Sequence, residues 1–344
     1  TPCGYYTTNY ESQATILHTR LQVWLAVAAI LGLCALPYLV PPYWITWSIL
    51  TGINLIVVLG LVVLTAYCGQ ISLGQAAFMG LGAYAYGNLV LKLQLPAPAA
   101  LVGAGLITAA VGIVFGLAAV RTKGYYLAMV TLAAQIILTY VFLQARAFTG
   151  GFIGLTVPRM SFGGEVLSTK AFYYIVLACA FILGLIVKNI RRTKWGRSFT
   201  AIRDNDLAAK AMGVNVATGK ILAFAISCFY AGVAGGLLAG FLGLVSPDNF
   251  TLLHSIFFLL MLAIGGIESL SGGIFGCLFV SLVQEGIARL GMAIAATGAG
   301  VLTLVLSLGV FGGIVVLLFT LEPRGLAHLW DRIKNFYRLW PFSY

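Results

Sequence analysis

The chain has 344 residues, of which 61% are hydrophobic and 8% charged, with a formal net charge of +11. Soluble domains carry roughly 25% charged residues, so this composition excludes an ordinary soluble protein and points to a membrane protein. The positive charge sits at the ends of apolar runs, and no RNA- or DNA-binding module accompanies it, so nucleic acid is not expected as a partner.

A run of about 20 apolar residues crosses a bilayer as a helix. Ten such helices are predicted in chain order: 21–40, 44–66, 74–92, 97–120, 125–145, 169–190, 220–243, 252–267, 273–290 and 300–320. Pro41-Pro42 ends the first, and Pro96 and Pro98 bracket the turn before the fourth. The expected fold class is an all-α polytopic membrane protein of about ten transmembrane helices. Its parts are an N-terminal cytoplasmic segment (1–20), a transmembrane domain (21–320) and a C-terminal cytoplasmic tail (321–344). Residues 1–20 hold no apolar run of signal-peptide type, so the first span is expected to lead insertion.

Lys and Arg collect in cytoplasmic loops. The 188–220 stretch holds Lys188, Arg191, Arg192, Lys194, Arg197, Arg203, Lys210 and Lys220, and further basic residues follow 320, flank 121–123 and precede the first span at Arg20. Ten spans place all four clusters on one side with both termini cytoplasmic. The 146–168 loop then faces outward.

The most polar apolar-flanked segment is Tyr67 to Gly80, which carries Gln70, Ser72, Gly74, Gln75 and Gly80, with Gly82 just beyond. Uncompensated polar groups are costly in hydrocarbon and face protein or a water-filled cavity. These six residues are the candidate lining of a path for a polar solute. Gln135, Asn54 and Asn88 also lie in spans, as helix-to-helix glue or as solute contacts. Glycines recur at intervals of four at 232/236/240, 112/116 and 272/276, a spacing that lets helices approach closely. Glu285 and Arg289 form a favourably ordered i,i+4 pair, and Glu268 falls at a predicted inner turn.

Catalytic chemistry is not indicated. There is no HExxH, no GxSxG and no pocketed carboxylate pair. Gly213 to Ile221 approaches a phosphate-binding loop but has five residues between its glycines where four are needed, and Ile221 replaces the magnesium-binding Ser or Thr. ATP, if used, must bind another polypeptide, and no cofactor is expected here. The six cysteines show no CxxC spacing, so neither a disulfide framework nor a metal site is expected. No chain of buried acids suggests a proton relay.

The loop 191–219 contains a short helix expected from Leu207 to Met212, capped by Asn205 or Asp206 and ended by Gly213. Ala208-Ala209-Lys210-Ala211-Met212-Gly213 resembles the Ala-Ala-x-x-x-Gly core of the cytoplasmic coupling motif of ABC importer permeases, with Leu207 where a glutamate is usual. The run Gly196 to Asp206, together with Gly69 to Phe78, Thr149-Gly150-Gly151, Gly154-Leu155, Ser246 to Phe250 and Gly265 to Gly273, resembles the branched-chain amino acid permease family of the LivM type. Gln75 stands where that family usually has a histidine. The resemblance covers residues 45–290. It implies a non-catalytic permease of a bacterial importer in the cytoplasmic (inner) membrane. Its partners would be a companion permease, two ATP-binding subunits, an extracytoplasmic solute-binding protein and an amino-acid substrate, within the lipid bilayer. Arg203, Asp204, Asp206, Ala208, Ala209 and Gly213 would then couple to the ATPase, moving the spans at 169–190 and 220–243. A related urea or short-amide importer, a secondary carrier and a passive channel are the alternative readings.

Overall fold

The computed structural model describes residues 31–122, 124–162, 165–267 and 269–295. Toward the C-terminal end it also describes 309, 312–320, 322, 325–330 and 332. Both termini, half of the first predicted span, just over half of the last, and Glu268 lie outside these residues. Residues 31–39 are helical. They are followed by α1 (Pro42–Leu61), α2 (Gln75–Leu93), α3 (Ala97–Arg121), α4 (Tyr125–Gln144) and α5 (Thr169–Ile190). Then come α6 (Lys194–Asp204), α7 (Asp206–Ala211), α8 (Val216–Leu242), α9 (Leu252–Gly265) and α10 (Leu270–Ala295).

Seven helices among the described residues are long and apolar enough to cross a membrane. The predicted third span, realised as α2, is not one of them, because glycine, glutamine, asparagine and tyrosine dilute its apolar content. It forms nevertheless, since most of its residues are buried against α3 and α8. The predicted span 44–66 is not one uniform α-helix: α1 passes into a π-helix over Val62–Tyr67.

Local chemistry sets the helix starts. Pro42 opens α1, where its missing N–H costs nothing. Side-chain oxygens of Ser168, Thr193, Asn205 and Asn215 cap α5, α6, α7 and α8 in turn. The cap of α7 is Asn205, and Gly213 follows with φ +83°.

Alternating helix directions put 191–215, 266, 267 and 269 at one end, called here the basic end, with 94–96, 146–162, 165–168 and 243–251 at the other. Strands at the far end are very short. β1 (Leu155–Thr156) pairs antiparallel with β4 (Leu244–Val245), and β2 (Ser161–Phe162) with β3 (Glu165–Val166). The first pairing ties the two far-end loops together.

The core sits around α8, which packs most extensively against α3 and α2. Small residues make this possible: a Cβ on Gly82 would overlap the Gly232 backbone, and one on Gly235 would overlap the Met79 carbonyl. The glycine spacing read in the sequence is thus a packing groove. By contrast, α4 and α5 keep exposed apolar faces, including Ile136, Ile137 and Tyr140 on α4 and Phe181 and Ile182 on α5.

Candidate functional site

The start of α2 is the first unusual feature. Its N-cap, Gly74, has no side chain to offer the orphan N–H groups of the first turn. Neighbouring helices supply acceptors instead. Ala76 N–H donates to Ser255 Oγ at 2.8 Å, and Ala77 N–H to Gln135 Oε1 at 2.9 Å. Ser255 Oγ also donates to Gln135 Oε1 at 3.1 Å, while Gln135 Nε2 donates to the Phe250 carbonyl at 2.8 Å. Gln135 lies in the middle of α4, and Ser255 in the first turn of α9. Two helix N-termini, those of α2 and α9, therefore converge on one buried amide inside the bundle. Gln135 is helix-to-helix glue with both ends of its amide in use.

The six candidate path residues are all buried within the chain. Gln75 Nε2 donates to the carbonyl and Oγ of Ser227 at 3.1 and 3.0 Å. Ser72 Oγ accepts from Gly74 N–H at 3.4 Å. A Cβ added at Gly74 would overlap the Thr131 carbonyl, one at Gly80 the Phe250 ring and one at Gly82 the Gly232 backbone. Gln70 differs. It is 2% exposed, and neither its amide nitrogen nor its amide oxygen has a hydrogen-bond partner. Its backbone is held tightly, with N–H to the Leu64 carbonyl and its own carbonyl receiving Thr65 Oγ1. Gly69 turns the chain here with φ +72°.

Gln70 and Gly69 line a cavity of about 290 Å³ at the basic end, bounded also by Thr122 and Leu127, and by Ile202, Arg203 and Lys220. Cys68 lies on the same wall, and burial pushes its thiol up to about 12, so it stays a neutral thiol at ordinary pH.

The coupling candidates divide into two groups. Arg203 and Asp204 belong to the last turn of α6. Arg203 Nη1 donates to the Ala66 carbonyl at 2.9 Å, and its Nη2 pairs with Asp204 at 3.0 Å. Asp206 turns inward, bonded to Lys220 Nζ at 2.8 Å in a mostly buried pair. Ala209 is buried, whereas Ala208 and Gly213 are exposed. The outward surface of α7 instead presents Leu207 and Met212, at 75% and 87% exposure. Buried Phe199 and Ile202 anchor α6, with Ile202 seated on Gly219.

Sequence reasoning missed Ser227, Ser255 and Lys220 as partners. Isolated serines in apolar spans are a usable signal for interhelical bonds. Lys220 read as a topology marker because it leads into an apolar run. At the far end, Arg289 bonds Glu285 at 2.8 Å and stacks over Tyr43 and Trp44, and Tyr43 Oη donates to Glu285. The sequence pair is thus a clamp between α1 and α10. Among the described residues the cysteines are free and no group of His, Cys, Asp or Glu could hold a metal ion.

Comparison with known proteins gives this bundle a family. The chain matches the family described as "Branched-chain amino acid transport system / permease component" over residues 43–319. It is 29% identical over 325 residues to the high-affinity branched-chain amino acid transport system permease protein LivM of Escherichia coli, covering 87% of this chain and 73% of that protein. It is 26% identical over 231 residues to a probable LivM of Methanocaldococcus jannaschii, covering 66% and 67%. The fructose import permease protein FrcC of Rhizobium meliloti is 30% identical over 241 residues, covering 67% and 66%. No solved structure matches significantly. The chain is a multi-pass membrane protein that belongs to the branched-chain amino acid transport system permease family.

Proposed function

We propose that this chain is the translocation subunit of an ATP-driven importer that carries branched-chain amino acids across a bacterial cytoplasmic membrane. It works with a companion permease, two ATP-binding subunits below the basic end, and an extracytoplasmic solute-binding protein that meets the 146–168 and 244–251 loops. Both termini are cytoplasmic. The observation that carries the reading is the Arg203–Ala66 contact. It links α6, next to the exposed α7, to the π-helix that leads through Gln70 into α2. ATPase closure pushes α7, α6 follows, and the 62–74 segment moves, together with α5 and α8. Gln70, Ser72 and Gln75 then give a polar solute its contacts. Gly74, Gly80 and Gly82 allow α2 to shift. Alternating access of this kind needs two packings of comparable free energy.

Family membership and the LivM relatives support the amino-acid assignment. A sugar is the second reading, favoured by the relatives named for fructose and for galactose and methyl galactoside. The test is to purify the chain in mild detergent with its companions and screen the binding protein for ligands. Co-elution of an ATPase and retention of leucine, isoleucine or valine support the reading. A binding protein that retains only a sugar replaces the substrate. Uphill transport by this chain alone, without nucleotide, overturns the proposal. Gly213→Leu forces a bulky side chain into a left-handed backbone position and should abolish transport while membrane insertion persists. Normal substrate-stimulated ATP hydrolysis in that variant counts against the coupling role.

A further inference from the structure

The cavity at the basic end has charge of both signs on its wall. Arg203 and Lys220 are balanced there by Asp204 and Asp206. A free anion would meet two carboxylates, and a free cation would meet two basic groups. A molecule with one positive and one negative group matches both. Arg203 is held on one side by Asp204, whose side chain is 64% exposed. Exposed pairs of this kind contribute about 0–1 kcal/mol, so an incoming carboxylate displaces Asp204 at small cost. Gln70 supplies the second argument. A buried amide with neither donor nor acceptor in use carries a standing desolvation penalty. Both amide atoms are closed off in this structure, so a ligand carrying both a carboxylate and an ammonium group satisfies them once the side chain turns toward the cavity that Gln70 lines. Leu127, Ile202 and Leu207 add apolar wall for a side chain. The volume, about 290 Å³, is at the small end of ligand pockets.

We infer that this cavity binds the transported amino acid in its zwitterionic form from the cytoplasmic side and that occupancy slows the importer. The inference rests on the amino-acid reading above for the identity of the ligand. The walls come from four separate pieces: the 68–70 turn, the connection between α3 and α4, α6 with α7, and Lys220 near the start of α8. A ligand held by all four ties the coupling helices to the segment they must move. The accumulated product thereby restrains further import.

The test uses the assembled transporter in lipid nanodiscs with its binding protein, reading ATP hydrolysis as L-leucine rises past the level that saturates the binding protein. The expected result is stimulation followed by a fall of about fivefold, the lower range of allosteric coupling. Two analogues, 3-methylbutylamine without the carboxylate and 4-methylpentanoate without the ammonium, should inhibit far less. Thr122→Trp at the cavity wall should flatten the inhibitory phase, judged as the ratio of high- to low-leucine rates within the variant. Co-elution with the companion subunits qualifies the variant. Stimulation with no fall in the wild type overturns this inference and leaves the importer reading standing. Equal inhibition by either analogue, or an unchanged inhibitory phase in an assembled variant, also overturns it. If no branched-chain amino acid stimulates hydrolysis at all, it is the amino-acid reading that fails.

Discussion

Arg203 Nη1 reaches the Ala66 carbonyl at 2.9 Å, joining the last turn of α6 to the π-helical end of α1. The two residues are far apart in sequence, and one lies on an amphipathic surface helix while the other lies in the buried core. Carbonyls near a helix C-terminus lack intrahelical partners, and π-helical segments often mark functional positions. A guanidinium that satisfies such a carbonyl makes a stiff link from the exposed coupling surface to the chain entering α2.

Replacing Arg203 tests that link. A hydrogen bond to a charged group contributes about 1.5–3 kcal/mol. Arg203→Met keeps much of the aliphatic stem and removes the donor. Solute moved per ATP hydrolysed in proteoliposomes should fall about tenfold or more, while assembly with the companion subunits persists. Undiminished transport per ATP would show that force travels by another route.

Gln135 joins the starts of α2 and α9. Gln135→Leu strips the acceptor from the Ala77 N–H and from Ser255 Oγ, and leaves the Phe250 carbonyl without its donor. Leaving buried polar groups unsatisfied costs roughly 1–3 kcal/mol each. The variant should melt well below the wild type in detergent, with faster amide exchange at Ala76 and Ala77. Gln135→Glu keeps the acceptors and should be the milder change. A Leu variant as stable as the wild type would remove Gln135 from its central position.

The contact between α2 and α8 admits no side chain at Gly82. Gly82→Leu must separate the helices, and overpacking a filled core costs about 1–3 kcal/mol or more. Added atoms at Gly286 meet nothing within 4 Å, so Gly286→Ala should leave the melting temperature unchanged or raise it by the helix-propensity gain, about 1 kcal/mol. Thermal unfolding of both variants reads the contrast, and equal melting temperatures would contradict the close approach.

Cys68 should resist thiol reagents. Burial pushes its pKa up to about 12, so the neutral thiol predominates at every pH below that value, and maleimide needs the thiolate. Labelling at Cys68 in the folded protein should stay low through neutral and mildly alkaline pH. It should become ordinary on denaturation. Rapid labelling at neutral pH would mean that the 68–70 turn opens readily.

The membrane class, the positions of the described spans and the α7 helix were legible in the amino-acid order because each depends on local pattern. Apolar runs, prolines and capping residues act over a few neighbours. Spans such as 169–190 and 125–145 therefore agree with α5 and α4 to within a residue. The same locality explains why α2 could be anticipated as a helix although it falls short of an apolar span. Which residue Gln75 bonds, which residue Asp206 bonds, and which polar group stays unpaired depend on residues brought together from distant parts of the chain. Gln70, Ser72 and Gln75 look alike in sequence. Only packing distinguishes them, because a hydrogen bond needs a partner within about 3 Å, and the partner's place is set by the helices around it.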